Sequence, residues 1–195
     1  LDLGSGLGHK ALQKFRFELT AVAGMGAPFT GDHQLLAHHR QVVVTPHPME
    51  MSRLCGKPVP EILAAPVEVA KEFAATWGVT VVLKDAHTVI ASPEGEVFIC
   101  AAGNAGMATG GSGDALAGVI GSLLAQNHHR IGVDLTVAEI AAAGVYLHAR
   151  AGDLAAEEIG EYGMLPSDLI ERIPLVCKGF SDTGTKLTAI GDTTD

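Results

Sequence analysis

The segment "TGGSGD", residues 109–114, places a single carboxylate directly after a run of glycines. Glycines let the backbone adopt positive φ, so that several N–H groups meet at one point, and a helix that follows adds the positive end of its dipole. Such a turn binds anions. Asp114 could simply cap that helix, and the glycines could simply allow close packing of a strand against it. We favour a third interpretation, in which Asp114 takes a proton from a substrate hydroxyl while a phosphoryl group rests on the N–H groups.

Two other loops carry side chains that could reach a ligand. Lys84 ends an apolar strand, where it either contacts a phosphate or is a plain exposed lysine. His47 lies between two prolines in "TPHPME", which stiffen its backbone, so its ring is either held towards a ligand or bonded locally in the turn. Glu50 is equally a helix-start carboxylate or a polar site residue. The pairs His38-His39 and His128-His129 lack ligand spacing, and we predict no metal bound by protein side chains alone.

The elements around these residues follow from hydrophobic patterning. Strands are predicted from continuous apolar or β-branched runs, and helices from periodic apolar positions closed by glycine or begun by an acidic first turn. In the first half of the chain we predict a strand and turn in residues 1–8 with a helix after them, a strand at 42–44, a helix from Glu50 and a helix at 66–77 ended by Gly78. A strand at 79–84 and a hairpin about Pro93-Glu94-Gly95 follow. Two Ala-rich, deeply packed helices are predicted within 114–126 and 136–160.

Buried strands that alternate with helices predict an α/β fold with a mainly parallel sheet covered by helices on both faces. Ligands of such sheets bind at the carboxyl ends of the strands. The four segments that follow predicted strands are therefore expected at one edge: Gly4–Gly8, Thr45–Glu50, Lys84–Thr88 and the glycine-rich segment.

Composition narrows the class of protein. With 195 residues, 47% hydrophobic and 18% charged, the chain has the profile of one globular domain. A net charge of −9 without a basic block argues against nucleic-acid partners, and no apolar run approaches the ~18 residues of a membrane span. Three cysteines without metal or redox spacing suggest buried thiols in a reducing compartment, so we expect a cytoplasmic protein.

Three motifs resemble those of the ADP/ATP-dependent NAD(P)H-hydrate dehydratases, a family with a ribokinase-like fold. They are "TPHPME", "VVLKDAHTVIASPEG" and "GNAGMATGGSGDALAGVI", and the last is the most specific. The similarity continues through "GVYLHARAGDLAAEEIGEYGMLPSDLIERIP", and "GSGLG" near the start is similar to the family's G-P-G-L-G more loosely.

The resemblance implies an enzyme that uses ADP or ATP, with Mg²⁺, to remove water from hydrated NADH or NADPH. It implies that Asp114 is the base and that Gly111, Ser112 and Gly113 form the anion-binding turn around the phosphoryl group. By positional match, Gly6, His47 and Asp114 contact the hydrate. The positions implied to contact the nucleotide are Lys84, Asp85, Ala86, His87, Thr88 and Gly113. Asn104 lies in the loop that approaches the site, and its role is left open.

Some features depart from the family pattern. Met49, Asp85 and His87 stand where the family has glycines or small residues, and a positive φ at Met49 would cost about 1 kcal/mol or more. The family has further strands and helices before its G-P-G-L-G and a D-A-D-x-L segment before the "TPHP" strand, and neither is recognisable in this sequence. We therefore expect the N-terminal part of the family domain to be missing or rearranged. Residues 1–175 are assigned to the ribokinase-like domain and 176–195 to a polar tail. We expect a homo-oligomer, and keep two rivals: a small-molecule kinase of the same fold and a catalytically weakened nucleotide-binding protein.

Overall fold

In the part of the chain that the structure describes, a four-stranded sheet lies between two layers of helices. The computed structural model describes residues 42–127 and 135–182. Within these ranges the strands pair in chain order, and their bounds are Val43–Val44 (β1), Thr80–Leu83 (β2), Thr88–Ala91 (β3) and Val97–Cys100 (β4). The helices are Pro48–Cys55 (α1), Val59–Ala64 (α2), Pro66–Trp77 (α3), Ser112–Asn127 (α4), Val137–Ile159 (α5) and Pro166–Asp182 (α6), with short 3-10 turns at Ala105–Met107 and Glu161–Gly163.

The sheet is mixed. β1 pairs with β2 in parallel, with Val43 opposite Thr80, because α1 to α3 form the crossover between them. The β2–β3 and β3–β4 pairs are antiparallel, since the connections at 84–87 and 92–96 are far too short for a crossover. The hairpin predicted at Pro93-Glu94-Gly95 is therefore present. The parallel arrangement expected for most of the sheet is found, among the described strands, only between β1 and β2.

Side chains of successive strand residues point to opposite faces of the sheet, and each face has its own core. Val81, Leu83 and Val89 face α1, α2 and α3, where they pack with Met51, Ile62, Val69 and Ala70. Val43, Val82 and Ile90 face the other way and pack with Leu116 and Ile120 of α4 and with Ala141 and Val145 of α5. Helices thus cover both faces, as the apolar strands predicted.

Local signals placed most of the described helices correctly. α3 ends at Gly78, whose N–H donates to the carbonyl of Ala74, and α5 is buried over much of its length because it contacts the sheet, α4 and α6. α2 was not predicted, since its six residues are too few to show a helical period.

Residues 176–182 of the predicted polar tail belong to α6, which extends past Pro174 to Asp182. One sequence expectation needs correction. The cysteines were expected to be buried, yet Cys55 and Cys100 are half-buried and Cys177 is exposed. The predicted strand, turn and helix near the N-terminus lie outside the described residues. Among the helices of the described residues, none combines the length and the hydrophobicity that a membrane span requires.

Candidate active site

Three loops meet at one edge of the sheet. The segment 45–47 follows β1, the segment 84–87 joins β2 to β3, and residues 101–111, here called the glycine loop, run from the end of β4 into α4. The backbone N–H of Lys84 donates to the carbonyl of Pro46 at 2.9 Å and joins the first two loops. The predicted convergence of these segments is therefore present in the described part of the chain.

The glycine loop ends in an open turn at the start of α4. Gly111 has φ +95°, a left-handed conformation that favours glycine. Within the described residues, the backbone N–H groups of Gly111, Gly113 and Asp114 donate to no acceptor, because the first turn of a helix has no partners for them. Asp114 lies in this first turn with an exposed side chain. The turn thus offers unused donors beside a solvent-facing carboxylate.

Lys84 brings a positive charge to the same turn. A Cβ built on Gly113 would lie 3.1 Å from Lys84 Nζ, so the ammonium occupies the space that a side chain at position 113 would take. Lys84 Nζ also lies 3.7 Å from Glu50 Oε2, and the lysine side chain is 24% exposed. The ammonium and the free N–H groups therefore form one electropositive surface, which suits a phosphate.

His47 begins α1 through a capping box. The N–H of Glu50 donates to His47 Nδ1 at 3.2 Å, and the N–H of His47 donates to Glu50 Oε2 at 2.7 Å. Because Nδ1 accepts a hydrogen bond, the ring hydrogen is on Nε2, which lies 3.5 Å from Glu50 Oε1. The sequence left two alternatives for His47, a ring held towards a ligand and a ring bonded locally in the turn. The ring is bonded locally through Nδ1, and its side chain is also 48% exposed at this edge of the sheet. Glu50 both caps the helix and faces Lys84.

Asp153 of α5 anchors the start of the glycine loop. Its carboxylate accepts hydrogen bonds from the N–H of Gly103 at 3.3 Å and from Asn104 Nδ2 at 3.2 Å, and it pairs with Arg150 Nη1 at 2.8 Å. Asn104 Oδ1 in turn accepts the N–H of Gly106 at 3.1 Å. This gives Asn104, whose role the sequence left open, a structural one. Met107 packs onto α5 where Gly152 leaves room for it.

His148, also on α5, holds the first residue of α4, which directly follows the glycine loop. Its Nε2 lies 3.0 Å from the carbonyl oxygen of Ser112 and 3.5 Å from Ser112 Oγ. Both residues are 6% exposed. Burial above all, with a smaller contribution from the positive charge of Lys84, lowers the pKa of His148 to about 4, against the opposing effect of its hydrogen bond to Ser112. The ring is therefore neutral at pH 7.

Several residues that the resemblance implied have less support in the geometry. Asp85, Ala86 and His87 are exposed in the loop after β2, Thr88 begins β3, and Gly6 lies outside the described residues. Met49 lies within α1, and no non-glycine residue in the described ranges has positive φ. The strain considered for Met49 is thus absent.

Sequence reasoning missed His148 and Asp153. Both lie in the Ala-rich segment 136–160, which the apolar pattern marked only as a packed helix. The available signal was a histidine and an aspartate five positions apart in a helix otherwise rich in small residues, "HARAGD". Polar side chains in such a helix need buried partners, and here both partners belong to the glycine loop and the first turn of α4.

A cavity of about 320 Å³ lies elsewhere, lined by residues near Thr80, Ser92, Glu96 and Thr136. These residues lie at the start of β2 and the end of β3, the opposite edge of the sheet from Asp114. The cavity is therefore separate from the electropositive turn, which is an open surface.

Comparisons with known proteins agree with this architecture. The family model described as NAD(P)H-hydrate dehydratase matches residues 3–175. The bifunctional NAD(P)H-hydrate repair enzyme Nnr of Moorella thermoacetica is 41% identical over 173 residues, which cover 89% of this chain and 30% of the relative.

Solved structures show the same relationship. The ADP/ATP-dependent NAD(P)H-hydrate dehydratase of Bacillus subtilis, co-crystallised with ATP/Mg²⁺, matches 71% of this chain and 48% of its own at 35% identity and a TM-score of 0.62. A ribokinase-like superfamily protein of Enterococcus faecalis matches 88% of this chain and 68% of its own at 28% identity and a TM-score of 0.60. The fold is ribokinase-like. The chain spans about a third of the length of the Moorella relative and about half of the Bacillus enzyme.

Proposed function

The chain belongs to the NAD(P)H-hydrate dehydratase family, and from this membership and the geometry of its site we propose that it removes water from hydrated NADH or NADPH at the expense of ADP or ATP. The observation that carries the proposal is the first turn of α4. There an exposed carboxylate, Asp114, lies beside free N–H groups and the Lys84 ammonium. A base beside an anion-binding turn is what phosphoryl transfer from a nucleotide to a hydroxyl requires.

Asp114 removes the proton from the hydroxyl on the hydrated nicotinamide ring, and the oxygen then bonds to the terminal phosphorus as the phosphoanhydride bond breaks. The N–H groups of Gly111 and Gly113 stabilise the charge that develops on the phosphoryl oxygens, and Ser112 holds the turn between them. The phosphorylated oxygen is a good leaving group. It departs as phosphate with loss of a proton from the neighbouring ring carbon, which restores the reduced nicotinamide.

We place the nucleotide on the surface between the loop at 84–87 and the start of α4. The absence of a Cβ at Gly113 leaves space for the Lys84 ammonium beside the first turn of α4, where the ammonium can contact a phosphate. The proposed contacts are Lys84, Gly113, the exposed residues Asp85, Ala86 and His87, and the half-buried Thr88. Magnesium bound with the nucleotide would neutralise charge on its phosphates. The described residues include no group of three or more His, Cys, Asp or Glu side chains that could hold a metal.

His47 is proposed to contact the hydrate. Its Nδ1 is occupied by the cap of α1 and its side chain is 48% exposed, so Nε2, which lies 3.5 Å from Glu50 Oε1, is the ring nitrogen left to contact a ligand at this edge of the sheet. Gly6 is proposed for the same substrate on the strength of the resemblance alone.

A homo-oligomer and a cytoplasmic location also stay predictions. The first has support from exposed apolar side chains at and before α6: Ile159, Tyr162, Leu165, Ile170 and Leu175.

The test incubates hydrated NADH with the protein, magnesium and either ADP or ATP, and follows the absorbance of the reduced nicotinamide. We expect recovery that depends on nucleotide. Nucleotide binding without recovery would replace the proposal with a nucleotide-binding role. A phosphorylated product that accumulates without elimination would favour a small-molecule kinase, which the same turn and base could serve.

A further inference from the structure

Building on the proposed function, we propose that His148 is a positioning residue for the phosphoryl-binding turn. Its Nε2–H donates to the carbonyl of Ser112 and fixes the orientation of the first turn of α4. The N–H groups of Gly111 and Gly113 and the carboxylate of Asp114 are then held ready for the phosphoryl group. His148 itself touches neither substrate nor nucleotide in this scheme, because it is buried beneath the turn.

The hydrogen bond has a defined direction. A carbonyl oxygen only accepts, so the contact of 3.0 Å requires the hydrogen on Nε2 of His148. The oxygen has two lone pairs, and it accepts from the imidazole without losing its place in the helix. Ser112 Oγ, at 3.5 Å from the same nitrogen, packs alongside. The imidazole thus joins α5 to the first residue of α4.

Few other contacts hold this turn in place. Within residues 110–113, "GGSG", Ser112 alone has a side chain. That side chain is 6% exposed and faces His148. Gly110 has no atom within 4 Å of the point where its Cβ would be, while Gly111 lies against the ring of Pro166 in α6 and Gly113 against the flexible end of the Lys84 side chain. A glycine segment gains little from side-chain packing and loses the most conformational freedom on folding. The Ser112–His148 contact is therefore its main anchor to α5.

The anchor also sets the direction of Asp114. Successive residues of an α-helix are rotated by about 100°, so Asp114 projects roughly 200° around α4 from Ser112. A helix face fixed against α5 at Ser112 leaves Asp114 facing solvent. A rotation of the turn about the helix axis would move both the N–H groups and the base, and small displacements of such groups cost large factors in rate.

Two substitutions separate positioning from packing. His148→Gln keeps an N–H donor near the place of Nε2, whereas His148→Leu keeps a similar size and removes the donor. Val145→Ala, on the same helix and 3% exposed, controls for a general loss of packing. The first readout needs no turnover: the backbone amide chemical shifts of Gly113 and Asp114, measured in isotope-labelled protein with and without ADP and magnesium.

We expect His148→Gln and Val145→Ala to keep the wild-type amide shifts and His148→Leu to change both. In the hydrate assay, kcat of His148→Leu should fall at least about tenfold with a smaller change in KM, and His148→Gln should stay within about threefold of wild type. Wild-type shifts in His148→Leu, or a His148→Gln variant no better than His148→Leu, would overturn the role. If the wild type does not turn over hydrated NADH, the proposed function fails, and the amide shifts alone decide the role of His148.

Discussion

The ammonium of Lys84 lies 3.1 Å from the point where a Cβ on Gly113 would be. This distance is closer than ordinary van der Waals contact, and the neighbour is the flexible end of a lysine. Gly113→Ala should therefore fold normally but push the ammonium away from the first turn of α4. We expect affinity for ADP to fall about tenfold, as for loss of one charge-assisted hydrogen bond. Calorimetric titration of the wild type and of Gly113→Ala with ADP and magnesium measures the two dissociation constants.

Gly118→Ala is the matched control for this change. It lies on the same helix, and a Cβ there meets no atom within 4 Å. It should leave affinity for ADP unchanged and raise the stability of the protein by about 0.5–1 kcal/mol, because alanine favours a helix interior over glycine. Equal affinity in Gly113→Ala and Gly118→Ala would contradict a nucleotide site at Lys84.

Removing the charge of Lys84 tests the same surface from the other side. Lys84→Met keeps an apolar stem and should weaken binding of ADP by about 1.5–3 kcal/mol, since the phosphates lose a charged donor. Lys71→Met, on the exposed side of α3, should bind ADP as the wild type does. Comparable losses in both variants would indicate a diffuse effect of net charge instead of a specific contact.

Asp114→Asn should separate chemistry from binding. The amide keeps the size of the side chain and cannot take a proton, so kcat should fall at least about 100-fold while affinity for ADP changes little. Glu94→Gln, at the opposite edge of the sheet, should have normal kcat. The two steady-state constants and a nucleotide titration measure the outcome. Retained turnover in Asp114→Asn would exclude Asp114 as the base.

Asp153 should matter for the glycine loop without touching the reaction. Asp153→Ala leaves the donors of Gly103, Asn104 and Arg150 without their acceptor. We expect a loss of about 2 kcal/mol in the free energy of unfolding, measured by urea titration. Glu157→Ala, exposed on the same helix, should change stability by less than about 0.5 kcal/mol. A neutral Asp153→Ala variant would show that the loop is held by other contacts.

The buried imidazole of His148 should make stability depend on pH. Burial, with a contribution from Lys84, lowers its pKa in the folded protein to about 4 from an ordinary 6.5. The unfolded chain therefore binds a proton first as pH falls. The contribution of His148 to the free energy of unfolding is therefore fully present above about pH 6.5. It decreases as the pH falls towards 4, by about 3 kcal/mol in total.

Carboxylates titrate in part of the same pH range and also change the stability. The effect of His148 is therefore measured as the difference in free energy of unfolding between the wild type and a variant without the histidine. Urea unfolding of wild type and His148→Gln between pH 4 and 7.5 should give free energies that converge as pH falls, since glutamine does not titrate. Parallel curves would mean that His148 does not stay neutral in the folded protein.

Much of the site could be predicted from local sequence. The β-branched run before Thr45, the glycine that ends α3 and the acidic residue in the first turn of α4 act within a few residues of themselves. Local propensities and caps depend on neighbours along the chain, so pattern alone located these elements. The motifs around Asp114, Lys84 and His47 likewise follow strands, and the sheet brought their loops to one edge.

Tertiary structure decided which of these groups meet. Lys84 reaches Gly113, His148 reaches Ser112 across 36 positions, and Asp153 reaches Asn104 across 49. These pairs depend on the register of the strands and on how α5 lies against both the sheet and α4. Neither the strand register nor the position of α5 is determined by the few residues on either side of these side chains. The sequence by itself determined that a carboxylate follows a glycine-rich turn at the start of α4. The packing of α5 decided what holds that turn in place.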